Sequence, residues 1–163
     1  MIEIRVLFVC MGNICRSPAA EIIWSHKLKS SQKFASAQSR FDSAGTIAYH
    51  NGNAPDSRMQ IALRDAGYEP FGVSRKVTAE DLDEFDLILA MDRDNLLNIR
   101  ALARNTGKSF DHCHLFLEYA KVSECNEVPD PYYGGNAGFR KVIELVETAC
   151  DNILERLETS EAS

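Results

Sequence analysis

The sequence predicts a single α/β domain in which helices cover both faces of a central four-stranded parallel sheet. Short apolar segments typical of strands alternate along the chain with longer segments whose apolar residues recur at helical spacing. Residues 85–91 form a nearly continuous apolar run, as expected for a strand that is buried on both faces. Strands that alternate with helices in this way form parallel sheets, and 163 residues is the length of one domain.

The first half of the chain is predicted to contain two strands and two helices. The strands occupy residues 4–9 and 40–44, and the helices occupy residues 17–31 and 56–66, with Gly67 ending the second helix. A polar stretch rich in asparagine and glycine separates the second strand from the second helix and is predicted to be a loop. The apolar residues of the first helix form one stripe, expected to pack in the core, at Ala20, Ile23, Trp24 and Leu28.

The second half is predicted to contain two strands and three helices. Thr78, followed by acidic residues, is typical of a helix start. The apolar run at 85–91 then passes into a helix over residues 92–104. A strand over 114–117 and a last helix over 137–157 complete the pattern. The polar residues after this helix are expected to fray.

The composition places the chain among ordinary globular proteins and narrows the choice of partners. Apolar residues make up 45% of the chain and charged residues 26%. The net charge of −6 argues against a nucleic-acid backbone or an anionic membrane as a partner. A site for an anionic substrate would therefore need a local positive potential. No signal sequence or membrane span is recognisable, so we expect a cytoplasmic location and no membrane insertion.

The cysteines and histidines do not predict a metal site or a disulfide framework. The five cysteines are an odd number without C-x-x-C spacing. On a strand, His112 and His114 would share one face and Cys113 would point away, so the three could not converge on one ion. We therefore expect no metal and no cofactor. The cysteines are Cys10, Cys15, Cys113, Cys125 and Cys150.

Residues 10–18 connect the first predicted strand to the first helix and combine groups suited to chemistry on a phosphate. Cys10 opens the loop and offers a thiolate nucleophile, and Arg16 offers a guanidinium that grips two phosphoryl oxygens. Gly12 and Asn13 are the residue types that most readily adopt positive φ, which a loop turning its N–H groups toward one centre needs. The helix N-terminus adds positive potential for a dianion.

Ser17 is predicted to be the N-cap of the first helix, with Pro18 at the first helical position. Its hydroxyl is also expected to hydrogen-bond the Cys10 sulfur and to help hold it as an anion. A free cysteine has a pKa of ~8.5, and a helix N-terminus with a nearby arginine lowers it to roughly 3.5–7.5. A cysteine after a strand is more often a small core residue, but the combined pattern favours a nucleophile.

This stretch resembles the signature loop of the low molecular weight protein tyrosine phosphatases. The match consists of Cys, five residues, Arg and Ser-Pro after an apolar strand, with Gly-Asn inside the loop. A second match is Asp-Pro-Tyr-Tyr, beginning at Asp130, in the last loop before the C-terminal helix. Lesser matches are Asp-Ser-Ala-Gly at 42–45 and Ala-Met-Asp at 90–92. The resemblance thus covers the whole chain and implies that residues 1–163 form one domain of this family.

The resemblance implies a phosphate-binding loop after the first strand and a role for each of three residues. Cys10 would attack phosphorus and form a thiophosphate ester, Arg16 and the loop N–H groups would bind the oxygens, and Asp130 would act as general acid and then base. The residues around Asp130 are by themselves equally consistent with a plain Asp-Pro turn. The implied reaction is hydrolysis of phosphotyrosine and small aryl phosphates. Implied partners are tyrosine-phosphorylated proteins, with phosphate, vanadate and sulfate as anions that bind the loop.

The resemblance also implies supporting roles for other residues. The family serine matching Ser43 hydrogen-bonds the asparagine matching Asn13, and the aspartate matching Asp92 supports the site from behind. By themselves, Ser43 is equally consistent with a strand-end turn and Asp92 with a helix N-cap, and both interpretations are compatible with the functional ones. Cys15 resembles the family's second loop cysteine, which forms a reversible disulfide with the nucleophile. It is equally consistent with a small packed residue.

The mouth of the pocket is expected to be apolar, so that it accepts an aromatic ring. Tyr49 is a predicted wall, although an exposed loop tyrosine is the alternative, and Tyr133 is equally consistent with a wall or with the core. The other predicted walls are Met11, Ile14 and Tyr132. The remaining loop residues expected to bind the phosphate are Gly12, Asn13, Cys15 and Ser17.

One departure from the family pattern concerns a histidine. Animal members carry a histidine shortly before the position of Arg75, and it joins the hydrogen-bond network of the loop. Residues 68–78 of this chain contain no histidine. That contact is therefore either missing or made differently. His26 and His50 are predicted to be surface residues.

Two other functions are compatible with parts of the pattern. Thioredoxin-coupled arsenate reductases resemble this fold and loop, but they need two further cysteines near the end of the third strand, and residues 82–91 contain none. A phosphotyrosine-binding protein that has lost turnover would be expected to lack Cys10 or Asp130, and both are present. The sequence therefore favours a phosphatase.

Overall fold

The four strands form one parallel sheet, as predicted, and numbered along the chain they lie in the order β2-β1-β3-β4. The structure is a computed structural model that describes residues 4–31, 40–132 and 134–162, with the side chains of 160–162 excepted, so the expectation for Tyr133 lies outside the described residues. The strands are β1 (Arg5–Cys10), β2 (Arg40–Gly45), β3 (Leu87–Ala90) and β4 (Cys113–Leu115).

The central position of β1 fixes where the loop after it lies. Cys10 pairs with Gly45 of β2, and Val9 pairs with Ala90 of β3. After β1 the chain therefore forms β2 on one side of it, and later forms β3 on the other side. In parallel α/β sheets a crevice opens beyond the carboxyl ends of the strands at such a point. The loop that begins at Cys10 lies at this crevice.

Six helices connect or follow the strands in the described chain. They are α1 (Arg16–Ser30), α2 (Ser57–Asp65), α3 (Ala79–Glu84), α4 (Arg93–Thr106), α5 (Phe116–Tyr119) and α6 (Asn136–Ala162). None of these helices is both long enough and apolar enough to cross a membrane.

Two predictions at the ends of elements were wrong. Strand β4 ends at Leu115, and the residues predicted to continue it form α5 instead, because Phe116 and Leu117 both pack into one apolar cluster on one face of the sheet, whereas adjacent side chains on a strand would point to opposite faces. The tail predicted to fray is helical to Ala162. No glycine or proline interrupts it, and Glu158 accepts a hydrogen bond from Ser31 at 2.7 Å.

Two apolar clusters, one on each face of the sheet, form the core. Phe8 belongs to the cluster that packs with α1 and α6, whereas Leu7 and Val9 belong to the cluster that packs with α4. The predicted stripe of α1 is buried, and Trp24 contacts the Phe8 ring edge-on with ring centroids 6.2 Å apart. The predicted helices on both faces are therefore confirmed. The sheet that carries the Cys10 loop is held rigidly from both sides.

We predict that Phe8→Ala lowers the free energy of unfolding by about 3–5 kcal/mol, because it leaves a cavity beneath Trp24 and Phe116. Urea denaturation followed by circular dichroism measures this change. Leu97→Ala on α4, where the side chain is exposed, is the control and is expected to change the free energy by less than about 0.5 kcal/mol. Equal losses in the two variants would contradict the assignment of Phe8 to the core.

Candidate active site

The sulfur of Cys10 lies at the bottom of the loop that follows β1. Cys10 is buried, and its Sγ lies 2.9 Å from the Ser17 hydroxyl oxygen and 3.3 Å from the backbone nitrogen of Asn13, which donates to it. Helix α1 begins at Arg16 with Cys15 at the N-cap, so the prediction that Ser17 caps this helix was wrong. Because the helix begins two residues earlier than this cap would place it, the Ser17 hydroxyl lies inside the first turn, next to the sulfur.

Asn13 holds the loop in its curved conformation. Its φ is +58°, as its residue type led us to expect, whereas Gly12 does not adopt a positive φ. The side-chain amide of Asn13 donates to Ser17 Oγ at 2.8 Å and to Ser43 Oγ at 2.9 Å. Its carbonyl oxygen accepts from the backbone nitrogen of Arg75 at 3.0 Å. The predicted contact between Ser43 and Asn13 is therefore present.

Two glycines allow other segments to approach the loop. A side chain at Gly12 would lie 2.9 Å from Cδ2 of His50, and one at Gly45 would lie 2.6 Å from the backbone oxygen of Met11. Ser74 Oγ donates to the backbone oxygen of Gly12 at 2.9 Å. Residues 68–78 hold no histidine, and from this segment Ser74 and the backbone nitrogen of Arg75 donate these hydrogen bonds to the loop.

Arg16 is a buried cation, only 3% exposed, at the other end of the loop. Its Nη1 donates to Asp92 Oδ2 at 2.6 Å and to the backbone oxygen of Val128 at 3.1 Å. Burial by itself would lower the pKa of Arg16, but the neighbouring Cys10 and Asp92 raise it above the ordinary value. Asp92 also caps α4 through the backbone nitrogen of Asn95, so its N-cap interpretation is confirmed, and its contact with Arg16 is compatible with the predicted supporting role.

Asp130 extends over the site from the loop before α6. Its Oδ2 lies 3.7 Å from Arg16 Nη2, and its Oδ1 accepts from the backbone nitrogen of Tyr132 at 3.0 Å. The side chain is 36% exposed, so that it borders both the pocket and the solvent. The structure thus brings the three predicted catalytic residues together at one place. Their catalytic roles stay predictions.

A cavity of about 280 Å³ opens above the loop. The four predicted walls all line it, and so do two residues that the sequence analysis missed, Ile47 and His50. His50, predicted only to be a surface residue, is half-buried at the cavity, where its ring lies against Gly12 and contacts Tyr49 edge-on at 4.8 Å. The lining residues are Cys10, Met11, Gly12, Ile14, Cys15, Arg16, Ile47, Tyr49, His50, Asp130 and Tyr132.

Other candidates for chemistry lie away from this cavity. His112 pairs with the backbone oxygen of Leu82 at 2.8 Å, His114 stacks on Tyr119, and Cys113 belongs to the core. Among the described residues, no three histidine, cysteine or acidic side chains are grouped as a metal site would require. The cavity above Cys10 is therefore the candidate active site in the part of the chain that the structure describes.

Comparisons with known proteins identify the family. The sequence model of the low molecular weight phosphotyrosine protein phosphatases matches residues 5–163. The enzyme of this class named YfkJ from Bacillus subtilis is 40% identical over 156 residues, which cover 95% of this chain and 96% of that one. The human enzyme is 37% identical over 151 residues, covering 93% and 94%. A Synechocystis protein with a provisional assignment to this class is 48% identical over 154 residues, covering 94% and 96%.

Solved structures agree with the sequence comparisons. A protein tyrosine phosphatase from Entamoeba histolytica superposes with a TM-score of 0.87 at 38% identity, covering 98% of this chain and 99% of that one. A Drosophila arginine phosphatase superposes with a TM-score of 0.85 at 32% identity, covering 93% and 96%. The chain belongs to the low molecular weight phosphotyrosine protein phosphatases and is a phosphatase of that class.

Glu21 is a charged neighbour of the loop that the sequence analysis did not single out as part of the site. It accepts a hydrogen bond from Ser43 Oγ at 2.6 Å. The pKa of this carboxyl is raised from 4.5 to about 7, mainly by burial and further by the charge of Asp42. The hydrogen bond from Ser43 and the charge of Arg75 oppose this shift. Only the complete fold brings Glu21 of α1 next to Ser43 of β2.

We predict that Glu21 destabilises the folded protein increasingly as the pH rises from about 4.5 to about 7. In this range the folded state holds the proton that the unfolded state has lost, so the free energy of unfolding falls as the pH rises and levels off above pH 7. The free energy of unfolding of Glu21→Gln, relative to that of the wild type, should therefore rise by up to roughly 3 kcal/mol between pH 4 and pH 8. Urea titrations across this range measure the difference.

Glu69→Gln is the matched control, because Glu69 is strongly exposed and only loosely paired with Arg64 at 3.8 Å. Its stability difference from wild type is expected to vary little with pH. A difference between Glu21→Gln and wild type that does not change with pH would contradict the raised pKa.

Proposed function

We propose that this protein hydrolyses phosphotyrosine, and small aryl phosphates, through a cysteinyl-phosphate intermediate. The observation that carries the proposal is the convergence of Cys10, Arg16 and Asp130 on a single cavity at the end of the central strand. Each of the three supplies a different requirement of the reaction, namely a nucleophile, a fixed positive charge and a proton donor.

In the proposed first step, the sulfur of Cys10 attacks phosphorus and the bond from phosphorus to the aryl oxygen breaks. Ser17 and the Asn13 amide, both within hydrogen-bond distance of Sγ, hold the sulfur at the bottom of the cavity. The buried guanidinium of Arg16, held by Asp92, binds the equatorial oxygens together with the loop amides. Because these groups are fixed before substrate binds, little reorganisation is needed in the transition state.

Asp130 donates a proton to the leaving aryl oxygen and later takes one from the water that hydrolyses the thiophosphate ester. Its position supports this role, because the carboxyl borders the cavity above Arg16. Ser43 and Asn13 support the reaction indirectly by stiffening the loop.

The walls of the cavity favour an aromatic substrate. Tyr49 is 84% exposed at the rim, Met11 is 44% exposed and Tyr132 is partly buried, so the entrance offers flat apolar surfaces to a phenyl ring. The Drosophila neighbour is named an arginine phosphatase, and the side chain of a phosphorylated arginine is polar at its guanidino group and presents less apolar surface to these walls than a phenyl ring does. We therefore favour phosphotyrosine in tyrosine-phosphorylated proteins.

Three further expectations belong to the proposal. Phosphate, vanadate and sulfate should bind the loop as the substrate's phosphoryl group does. A cytoplasmic location suits the free cysteines of the chain. Once a peroxide has oxidised Cys10 to the sulfenic acid, the Cys15 thiol should displace its hydroxyl group as water, and the resulting disulfide should protect Cys10 from irreversible oxidation. Burial, together with the nearby Asp56, raises the pKa of Cys15, so it rests as a neutral thiol.

We predict that Cys10→Ser abolishes hydrolysis of p-nitrophenyl phosphate, because the hydroxyl is a far weaker nucleophile. Asp130→Ala is expected to lower the rate roughly 10²-fold or more, because the leaving oxygen must then depart unprotonated. Steady-state assays on the purified proteins measure both effects. A pull-down of tyrosine-phosphorylated proteins with Asp130→Ala would then identify substrates.

Asp86→Ala is the control, because Asp86 pairs with Arg5 at 3.0 Å on the exposed surface, away from the cavity lining. Its activity should equal that of the wild type. Full turnover in Cys10→Ser would contradict the mechanism. Faster hydrolysis of phosphoarginine than of phosphotyrosine by the wild type would contradict the assigned substrate.

A further inference from the structure

We propose that Arg58 is a positioning residue that sets the place of the Asp130 loop above Cys10 by holding the ring of Tyr132. The proposal rests on the proposed function, since it gives Arg58 a part in the proton donation by Asp130. Arg58 is absent from the residues that line the cavity in the described chain, so any effect on the reaction must pass through another side chain.

The guanidinium of Arg58 is anchored to the phosphate-binding loop through Asp56. The backbone nitrogen of Asp56 donates to the backbone oxygen of Ile14 at 2.8 Å. The carboxylate of Asp56 accepts from Arg58 three times, from its backbone nitrogen at 2.8 Å and from Nε and Nη2 at 3.2 Å each. The two side-chain hydrogen bonds form a bidentate pair that fixes the orientation of the planar guanidinium. A lysine ammonium group could not form this pair. The position of Arg58 is thus tied to that of the loop.

The same guanidinium contacts two aromatic rings. Its central carbon lies 4.8 Å from the ring centre of Phe139 and 5.3 Å from the ring centre of Tyr132, both within the range of a cation–π contact. Phe139 lies in the first turn of α6 and is only 1% exposed, so it is part of the rigid core. Arg58 therefore connects a fixed ring of the core to a ring of the Asp130 loop.

The Tyr132 backbone transmits this restraint to the proton donor. Its N–H donates to Asp130 Oδ1 at 3.0 Å, so a shift of Tyr132 moves the carboxyl group. Burial does not fix Asp130, because its side chain is 36% exposed and lies 3.7 Å from the nearest nitrogen of Arg16. Loss of the Arg58 contact should therefore misplace the acid without disturbing Cys10 or Arg16.

Such a misplacement has a signature that general destabilisation lacks. Proton donation is worth roughly 10²–10⁴-fold in rate, and a displacement of about 1 Å can cost roughly 10²-fold. A poor leaving group such as phenoxide depends strongly on the donated proton, whereas p-nitrophenoxide, a better leaving group, depends on it less. A displaced acid therefore slows phenyl phosphate more than p-nitrophenyl phosphate. A smaller fraction of folded enzyme slows both equally.

The experiment compares kcat/KM for phenyl phosphate and p-nitrophenyl phosphate in Arg58→Met and in Arg58→Lys. Because both variants lose the bidentate pair with Asp56, the ratio of the two values, phenyl over p-nitrophenyl, should fall by about 10-fold in Arg58→Met and by a smaller factor in Arg58→Lys. Arg64→Met is the matched control, since Arg64 lies on the same helix but is exposed, and its ratio should be unchanged.

A fall in the ratio of more than about 3-fold supports the proposal, and a smaller change overturns it, whatever the absolute rates. If Arg58→Met does not fold, the same ratio of kcat/KM values is measured for Arg58→Lys, and the same limit of about 3-fold applies. In an Asp130→Ala background, Arg58→Met should leave the ratio unchanged, and a further fall there would also overturn the proposal. Failure of the proposed function is a separate result, because the wild type would then hydrolyse neither ester or Cys10→Ser would hydrolyse both.

Discussion

Two ionisable side chains, Cys10 and Arg16, are buried at the carboxyl end of the central strand, each only 3% exposed. Burying a charge costs several kcal/mol unless partners with good geometry compensate it. Arg16 donates hydrogen bonds to Asp92 and to the carbonyl oxygen of Val128. The sulfur of Cys10 accepts from the Asn13 amide and lies within hydrogen-bond distance of the Ser17 hydroxyl. These partners come from separate elements, so the loop has its shape only when the sheet and the loops around it are complete.

The parts of the fold that the sequence predicts are those whose signal is local. The apolar run of β3 and the stripe on α1 each report burial through their own periodicity, and both predictions were confirmed. The boundary between β4 and α5 was predicted wrongly because a short apolar run does not distinguish a strand from a helical turn. Phe116 and Leu117 both pack into the apolar cluster that α6 covers, so the contacts that distinguish the two structures come from a segment far along the chain.

The residues of the candidate site fall into the same two groups, those with a local signal in the sequence and those without one. Cys10, Asn13 and Arg16 were found from the sequence because one short loop contains them, and the helix N-terminus explains why they act together. Asp130 and Asp92 were found by resemblance to a family, since nothing in their own neighbourhood connects them to the loop. His50, Ile47, Glu21 and Arg58 gave no local signal, because each reaches the site through contacts between distant segments. His50 approaches Gly12 closely because glycine has no side chain. The sequence alone does not show which residue uses the space that this glycine leaves.

The central claim is that a sulfur anion at Cys10, surrounded by main-chain amides and the Arg16 guanidinium, accepts the phosphoryl group. A crystal structure with bound vanadate tests it most directly, since vanadate adopts the trigonal bipyramidal geometry of the transition state. The account predicts vanadium directly above Cys10 Sγ, with its equatorial oxygens bonded to the loop amides and to Arg16, and with Asp130 beside the apical oxygen. Vanadate bound away from this sulfur would contradict it.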